Sequence, residues 1–132
     1  MPSSLARHLE IMWSEMDVES VLGAHEQLRS TATKEDLPEL VEALKSDRNN
    51  FWTRELISEP IAYLGGVDYL PELFEALERN SSDGHDNDTL LHFLSEIASQ
   101  HPEACSAKLD SLMKTPGFVH GRYAEWLLEF CR

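Results

Sequence analysis

This 132-residue chain could build a site from six histidines, two cysteines and 24 Asp or Glu side chains. His25-Glu26 opens like the zinc motif H-E-x-x-H, but Arg29 stands where the second histidine is needed. Asp83-Gly84-His85-Asp86-Asn87-Asp88 resembles a calcium loop at first sight. Its twelfth position is Leu94 counted from Asp83 and Ile97 counted from Asp86, and neither supplies the bidentate carboxylate that such a loop requires. A solvated loop is therefore expected, with no metal and no cofactor. There is no G-x-S-x-G and no phosphate-cradling glycine loop. Cys105 and Cys131 fit no C-x-x-C pattern and fall in predicted helices, which suits two buried thiols in a reducing compartment. Nothing in these patterns points to an enzyme.

A different arrangement emerges at a spacing of 33 residues, where Glu59, His92 and Glu125 form one column and Tyr63, Glu96 and Glu129 a second. Glu55 and Asp88 extend the set upward. If the helices that carry them stack side by side, the columns make an acidic ridge with Tyr63 and His92 embedded in it. Exposed helix faces are usually charged, so a plain solvated face is the competing explanation. As a functional surface the ridge would dock a basic partner. Tyr63 and His92 would give flat contact area, and the carboxylates would steer association.

The overall charge supports that choice of partner. The formal net charge is −13, which argues against nucleic acid or an anionic membrane surface, since phosphate binding needs clustered Lys and Arg. Residues 67–100 carry eight acids against one base, more than half of the excess. Hydrophobic residues make up 42% and charged residues 27%, ordinary for one globular domain. No apolar run approaches membrane-spanning length, and the N-terminal residues lack a signal-peptide segment, so a cytoplasmic address is expected.

The elements that must position the columns are read from a repeat. Asp36-Leu37-Pro38-Glu39-Leu40-Val41-Glu42-Ala43-Leu44 returns almost letter for letter at Tyr69-Leu70-Pro71-Glu72-Leu73-Phe74-Glu75-Ala76-Leu77, again 33 residues on. Such a copy marks stacked supersecondary units. Ile57, Ile61 and Leu64 map in the same register onto Leu90, Leu94 and Ile97, and then onto Tyr123, Leu127 and Phe130. Spacings of i, i+4 and i+7 give one buried stripe on each of three helices.

In chain order, Ser3 or Ser4 can cap a first helix carrying Leu5, Leu9, Met12 and Met16, and Asp17 can cap a second, where Gly23 would serve a close helix approach. Thr33 to Asp36 reads as a weak capping box for a helix reaching Ser46. A helix from about Trp52 to Leu64 ends at Gly65-Gly66, with Pro60 expected to kink it. Asp68 is expected to cap the next helix. A polar loop runs from Asn80 to Asp88, and further helices run over Thr89–Ser99, from Pro102, and from Val119 to Cys131. No strand is expected.

Leu44-Lys45-Ser46-Asp47, then Arg54, Ile57 and Ile61-Ala62-Tyr63-Leu64-Gly65, resembles the HEAT repeat in its short bacterial, PBS-lyase-type form. The likeness is good over residues 34–66, moderate over 67–100 and weak over 101–132. Asn87 and His120 stand where the first repeat has Arg54, so the family's Asp–Arg ladder is not expected to persist. The resemblance implies an all-α, HEAT-like α–α superhelix of about four helical hairpins with a right-handed twist. Residues 1–33 would form a divergent capping hairpin on the repeats 34–66, 67–100 and 101–132 of one domain. It also implies a binding scaffold, because most such proteins bind other proteins.

The expected function is a non-catalytic protein-binding module, specifically a small acidic inhibitor or immunity-type protein that neutralises a basic partner such as a bacterial toxin. An adaptor within a larger complex is the first alternative, with Phe51, Trp52 and Phe118 as its apolar contacts. A bilin-lyase-like protein that handles a small molecule is the second, and it would need a deep pocket with convergent polar groups.

Overall fold

A computed structural model describes residues 4–14 and 17–131. The expected roles of Ser3 and Met16 lie outside the described residues. The repeated nonapeptide folds identically in both copies. Leu37, Leu40 and Leu44 are buried in α3 (Leu37–Leu44), and Leu70, Leu73 and Leu77 are buried in α5 (Leu70–Ser82). Each such leucine contributes roughly 1.5–3 kcal/mol of transfer free energy. The proline of each copy sits in the first helical turn, where the absent N–H would have had no partner.

Each of these helices pairs with the one that follows it. α3 packs on α4 (Phe51–Gly65), and α5 packs on α6 (Asp88–Gln100). The pairs α1 (Ser4–Ser14) with α2 (Val18–Thr31), and α7 (Pro102–Met113) with α8 (Gly121–Leu128), flank them. The second helices touch in series, with α4 against α2 and α6, and α6 against α4 and α8. The fold is all-α. Among the described residues there is no strand, and no helix is long and apolar enough to cross a membrane.

The stripe on the second helices holds twice. Ile57, Ile61, Leu90, Leu94 and Ile97 are all buried, and Leu64 packs against the core. The third copy departs from it. Leu127 is fully buried, but Tyr123 is half-buried over the Phe74 ring, and Phe130 is exposed because α8 ends at Leu128 rather than Cys131.

Polar side chains close the links between helices. Asn49 is buried and its Nδ2 donates to the carbonyls of Ala43, Leu44 and Ser46 at 2.7, 3.1 and 3.1 Å, answering the open C-terminal carbonyls of α3. Its Oδ1 accepts from Trp13 Nε1 at 2.7 Å, which fastens α1 to the α3–α4 link. Arg48 adds two hydrogen bonds to Glu10 of α1, at 2.7 and 2.8 Å. Asn50 and Thr53 bond reciprocally at the start of α4.

Several local expectations are corrected. Gly23 faces solvent with nothing near the place of a Cβ, so no close helix approach explains it. Asp68 caps nothing and lies exposed in a 3-10 turn, Gly66–Tyr69. The close approach belongs to Gly65 instead, where a Cβ would run into the Tyr69 ring. The expected capping box over Thr33–Asp36 is present, with the Thr33 N–H donating to Asp36 at 2.9 Å, but it closes a 3-10 turn, Lys34–Asp36, ahead of α3, which ends at Leu44 rather than Ser46. α5 extends through Asn80 to Ser82, so the expected polar loop is shortened at its start.

Candidate functional site

α4 runs unbroken through Pro60, whose missing N–H leaves the Leu56 carbonyl, one turn earlier, without its helical donor. The His25 ring of α2 is buried against this part of α4, with Nε2 3.7 Å from the Glu59 carboxylate. Arg29 Nη1 also donates to Glu59, at 3.1 Å. Burial lowers the pKa of His25, an effect that Arg29 reinforces and Glu59 opposes. Glu59 is thereby neutralised by its own chain and held at the α2–α4 junction.

One helical turn further on, Tyr63 stands 85% exposed. Across from it on α6, His92 Nε2 and Glu96 pair at 3.0 Å with both side chains well exposed. Glu59, Tyr63, His92 and Glu96 line one open groove of about 1110 Å³. Its apolar lining includes the small residues Ala62 and Gly65 of α4, Gly66 just past it, and Ala104 and Ala107 of α7, together with Leu64, Val67, Phe93 and Ile97. The small side chains among them help to leave the space open. Lys34, Asp68, Gln100, His101 and Lys108 complete its polar lining. The surface is therefore mixed in charge, with an aromatic at its edge.

The structure thus brings four of the eight column residues together and leaves four apart. Glu125 of α8 and Glu129, just past its end, are exposed but outside the groove. Glu55 and Asp88 lie near the opposite ends of α4 and α6, beside the 83–87 link. There, burial and then the charges of Asp86 and Asp88 raise the Glu55 pKa, with His85 opposing. Among the described residues no three His, Cys, Asp or Glu side chains converge as a metal ligand set.

The 83–87 link is tied down at several points. Arg54, 5% exposed, donates from Nη1 to Asn80 Oδ1 at 2.8 Å and to Asp83 at 2.7 Å. The His85 ring stacks on Phe51 at 3.8 Å. Asn87 Nδ2 donates to the Leu77 carbonyl at 3.1 Å. His120, buried, bonds Glu75 at 3.2 Å. Arg54, Asn87 and His120 share one column and each bridges to α5, though with different chemistry. Asn80 is the 33-residue counterpart of Asp47, so the Arg54 contact crosses from one repeat to the next. The sequence signal was the column itself, which becomes readable once pairs are sought across repeats instead of within one.

The apolar trio expected to serve an adaptor is spent internally. Phe51 stacks on His85, Trp52 packs on the core, and Phe118 leans on Phe74 with ring centroids 6.5 Å apart. No protein-family model matches the chain, and no curated protein or solved structure is significantly similar to it.

Proposed function

We propose that this chain is a non-catalytic protein-binding module, of HEAT-like repeat architecture, that grips a basic protein through the groove between α4, α6 and α7. The observation that carries the reading is Tyr63, 85% exposed on α4 beside a groove of about 1110 Å³ that is partly lined by Ala and Gly. A flat amphipathic ring over open apolar space suits contact with another protein. The groove is of a size to take the side chains of a partner's helix or loop. The net charge of −13 favours a cationic partner by long-range attraction. Among the groove's carboxylates, Glu96 and Asp68 face solvent, and Glu96 can exchange its His92 contact for a partner's Lys or Arg. Occlusion of a basic protein's active surface, as an inhibitor or immunity-type protein does, is the specific form proposed.

The test compares tagged wild type with Tyr63→Ala and Glu96→Lys variants in capture from the producing cells at low and high salt. A stoichiometric basic protein, bound by wild type and lost in both variants, supports the reading. A partner held equally by all three removes the groove from it. A second reading, small-molecule handling, draws on the convergence of Tyr63, His92, Glu96 and His101 at the same groove. A thermal shift with a small-molecule panel, abolished in Tyr63→Ala, would favour it over the first.

A further inference from the structure

Asp83-Gly84 is the one place in the chain where an Asp or Asn is followed by Gly. The pair opens the link after α5. Asp83 has φ −79° and ψ −3°, and Gly84 turns the chain at φ +84°, a conformation that favours glycine. Both residues are exposed to water. In an unrestrained chain this dipeptide is chemically labile, because a glycine nitrogen meets no side-chain crowding as it approaches the carboxyl carbon of the aspartate before it.

Two contacts restrain the pair in the fold. Arg54 Nη1 donates to Asp83 Oδ2 at 2.7 Å, and Arg54 is itself buried in α4 and fixed by Asn80 at 2.8 Å. The Gly84 N–H donates to the Ser81 carbonyl at 3.0 Å. The carboxyl carbon is thus held from one helix, and the nitrogen that would attack it is held from another.

We propose that Asp83 is a site of spontaneous isoaspartate formation that the Arg54 contact holds in check. The Gly84 nitrogen gives up its proton to solvent and attacks Asp83 Cγ. The side-chain hydroxyl takes up a proton and leaves as water, and a five-membered imide joins Cγ to the Gly84 nitrogen. Water then adds at one of the two ring carbonyls. Addition at Cγ restores aspartate. Addition at the main-chain carbonyl breaks its bond to the Gly84 nitrogen and leaves the backbone running through Cβ and Cγ. One water leaves and one returns, so the mass is unchanged and no electrons are transferred.

The clamp acts on both requirements of the reaction. Hydroxyl leaves a neutral carboxyl far more readily than oxide leaves a carboxylate. The Arg54 hydrogen bond holds the Asp83 carboxyl below its usual range, and so keeps it ionised. Ring closure also brings Cγ and the Gly84 nitrogen together, which breaks the contacts with Arg54 and Ser81. The product does not relatch. Its carboxylate is on Cα and its backbone is one methylene longer, so the buried guanidinium loses the anion it faced.

The experiment ages the full chain in warm, mildly acidic buffer. Isoaspartate is followed by peptide mapping, with fragmentation that separates α- from β-linked aspartate. Folded wild type is compared with wild type in urea, with Arg54→Met, and with Arg54→Met combined with Asn80→Leu. Urea gives the unrestrained rate. The double variant removes the guanidinium without leaving the Asn80 amide alone, and rates are read in whichever variant keeps the wild-type helical signal. The proposal predicts isoaspartate at position 83 ahead of every other aspartate, formed fastest in urea and slowest in folded wild type. Loss of the guanidinium should raise the folded-state rate about tenfold, within the range of a charge-assisted hydrogen bond. A folded variant that converts at the wild-type rate overturns the proposal. So does folded wild type that converts as fast as the unfolded chain, or isoaspartate that appears first at another aspartate.

Discussion

Arg54 gives the sharpest stability prediction, because its guanidinium is the bridge between the two best-matched repeats. Its side chain is 6% exposed, whereas its carboxylate partner Asp83 is 48% exposed. Truncation to Ala strands the Asn80 amide, which has no solvent exposure and whose Nδ2 is already without a hydrogen-bond partner. A newly unsatisfied buried group costs about 1–3 kcal/mol. The emptied space of the aliphatic stem adds roughly 1–2 kcal/mol. Asp83, being half in water, rehydrates and keeps the loss at the lower end of the range for a broken buried pair. Arg54→Ala should therefore cost about 3 kcal/mol in urea unfolding, with Arg54→Met, which retains the stem, at about 2 kcal/mol. Replacing both partners, Arg54→Met with Asn80→Leu, should recover most of the loss, since no buried polar group is then left alone. A cost below about 1 kcal/mol for Arg54→Ala, or a double variant less stable than Arg54→Met, would refute the cross-repeat account. Arg54 also holds the Asp83 carboxyl below its usual range. A depressed folded pKa contributes stability above the unfolded value, near 4, that is lost as pH falls through the lower folded value, so wild type should show an acid-side decline that Arg54→Met lacks.

His25 should make stability depend on pH nearer neutrality. Its folded pKa is lowered, so the unfolded chain binds the proton first and stability falls as pH drops below about 6.5, levelling off beneath the folded pKa. Chemical denaturation between pH 8 and 5 checks this, and His25→Asn should flatten that part of the profile. Asn49→Ala removes three donations to the end of α3 and the acceptor of Trp13, and should cost about 2–3 kcal/mol with a change in tryptophan fluorescence. Gly65→Ala forces the Tyr69 ring aside and should cost about 1–3 kcal/mol by the same unfolding measurement, whereas Gly23→Ala, exposed inside α2, should stabilise by up to about 1 kcal/mol.

The helical pairs and most of their buried positions were legible because burial imposes a period that survives in a single sequence. Leu40 with Leu73 and Ile61 with Leu94 could be named from spacing alone. What spacing could not show was where polar side chains reach. Glu59 reads as an exposed member of an acidic column, yet it is neutralised by Arg29 from a helix outside the repeat register. The groove depends on small residues of α7, in the region where the copy is faintest, and a missing side chain leaves no periodic mark.

Site-specific crosslinking tests the groove as a docking surface most directly. A photoreactive phenylalanine replaces Tyr63 in one version of the chain and Val119, exposed on the 114–120 link outside this groove, in another. Irradiation is carried out in extract of the producing cells, with and without Glu96→Lys. The account predicts one basic protein crosslinked from position 63, absent from position 119 and lost with Glu96→Lys. Crosslinking of the same protein from position 119 alone, or from position 63 with undiminished yield after the charge reversal, would contradict it.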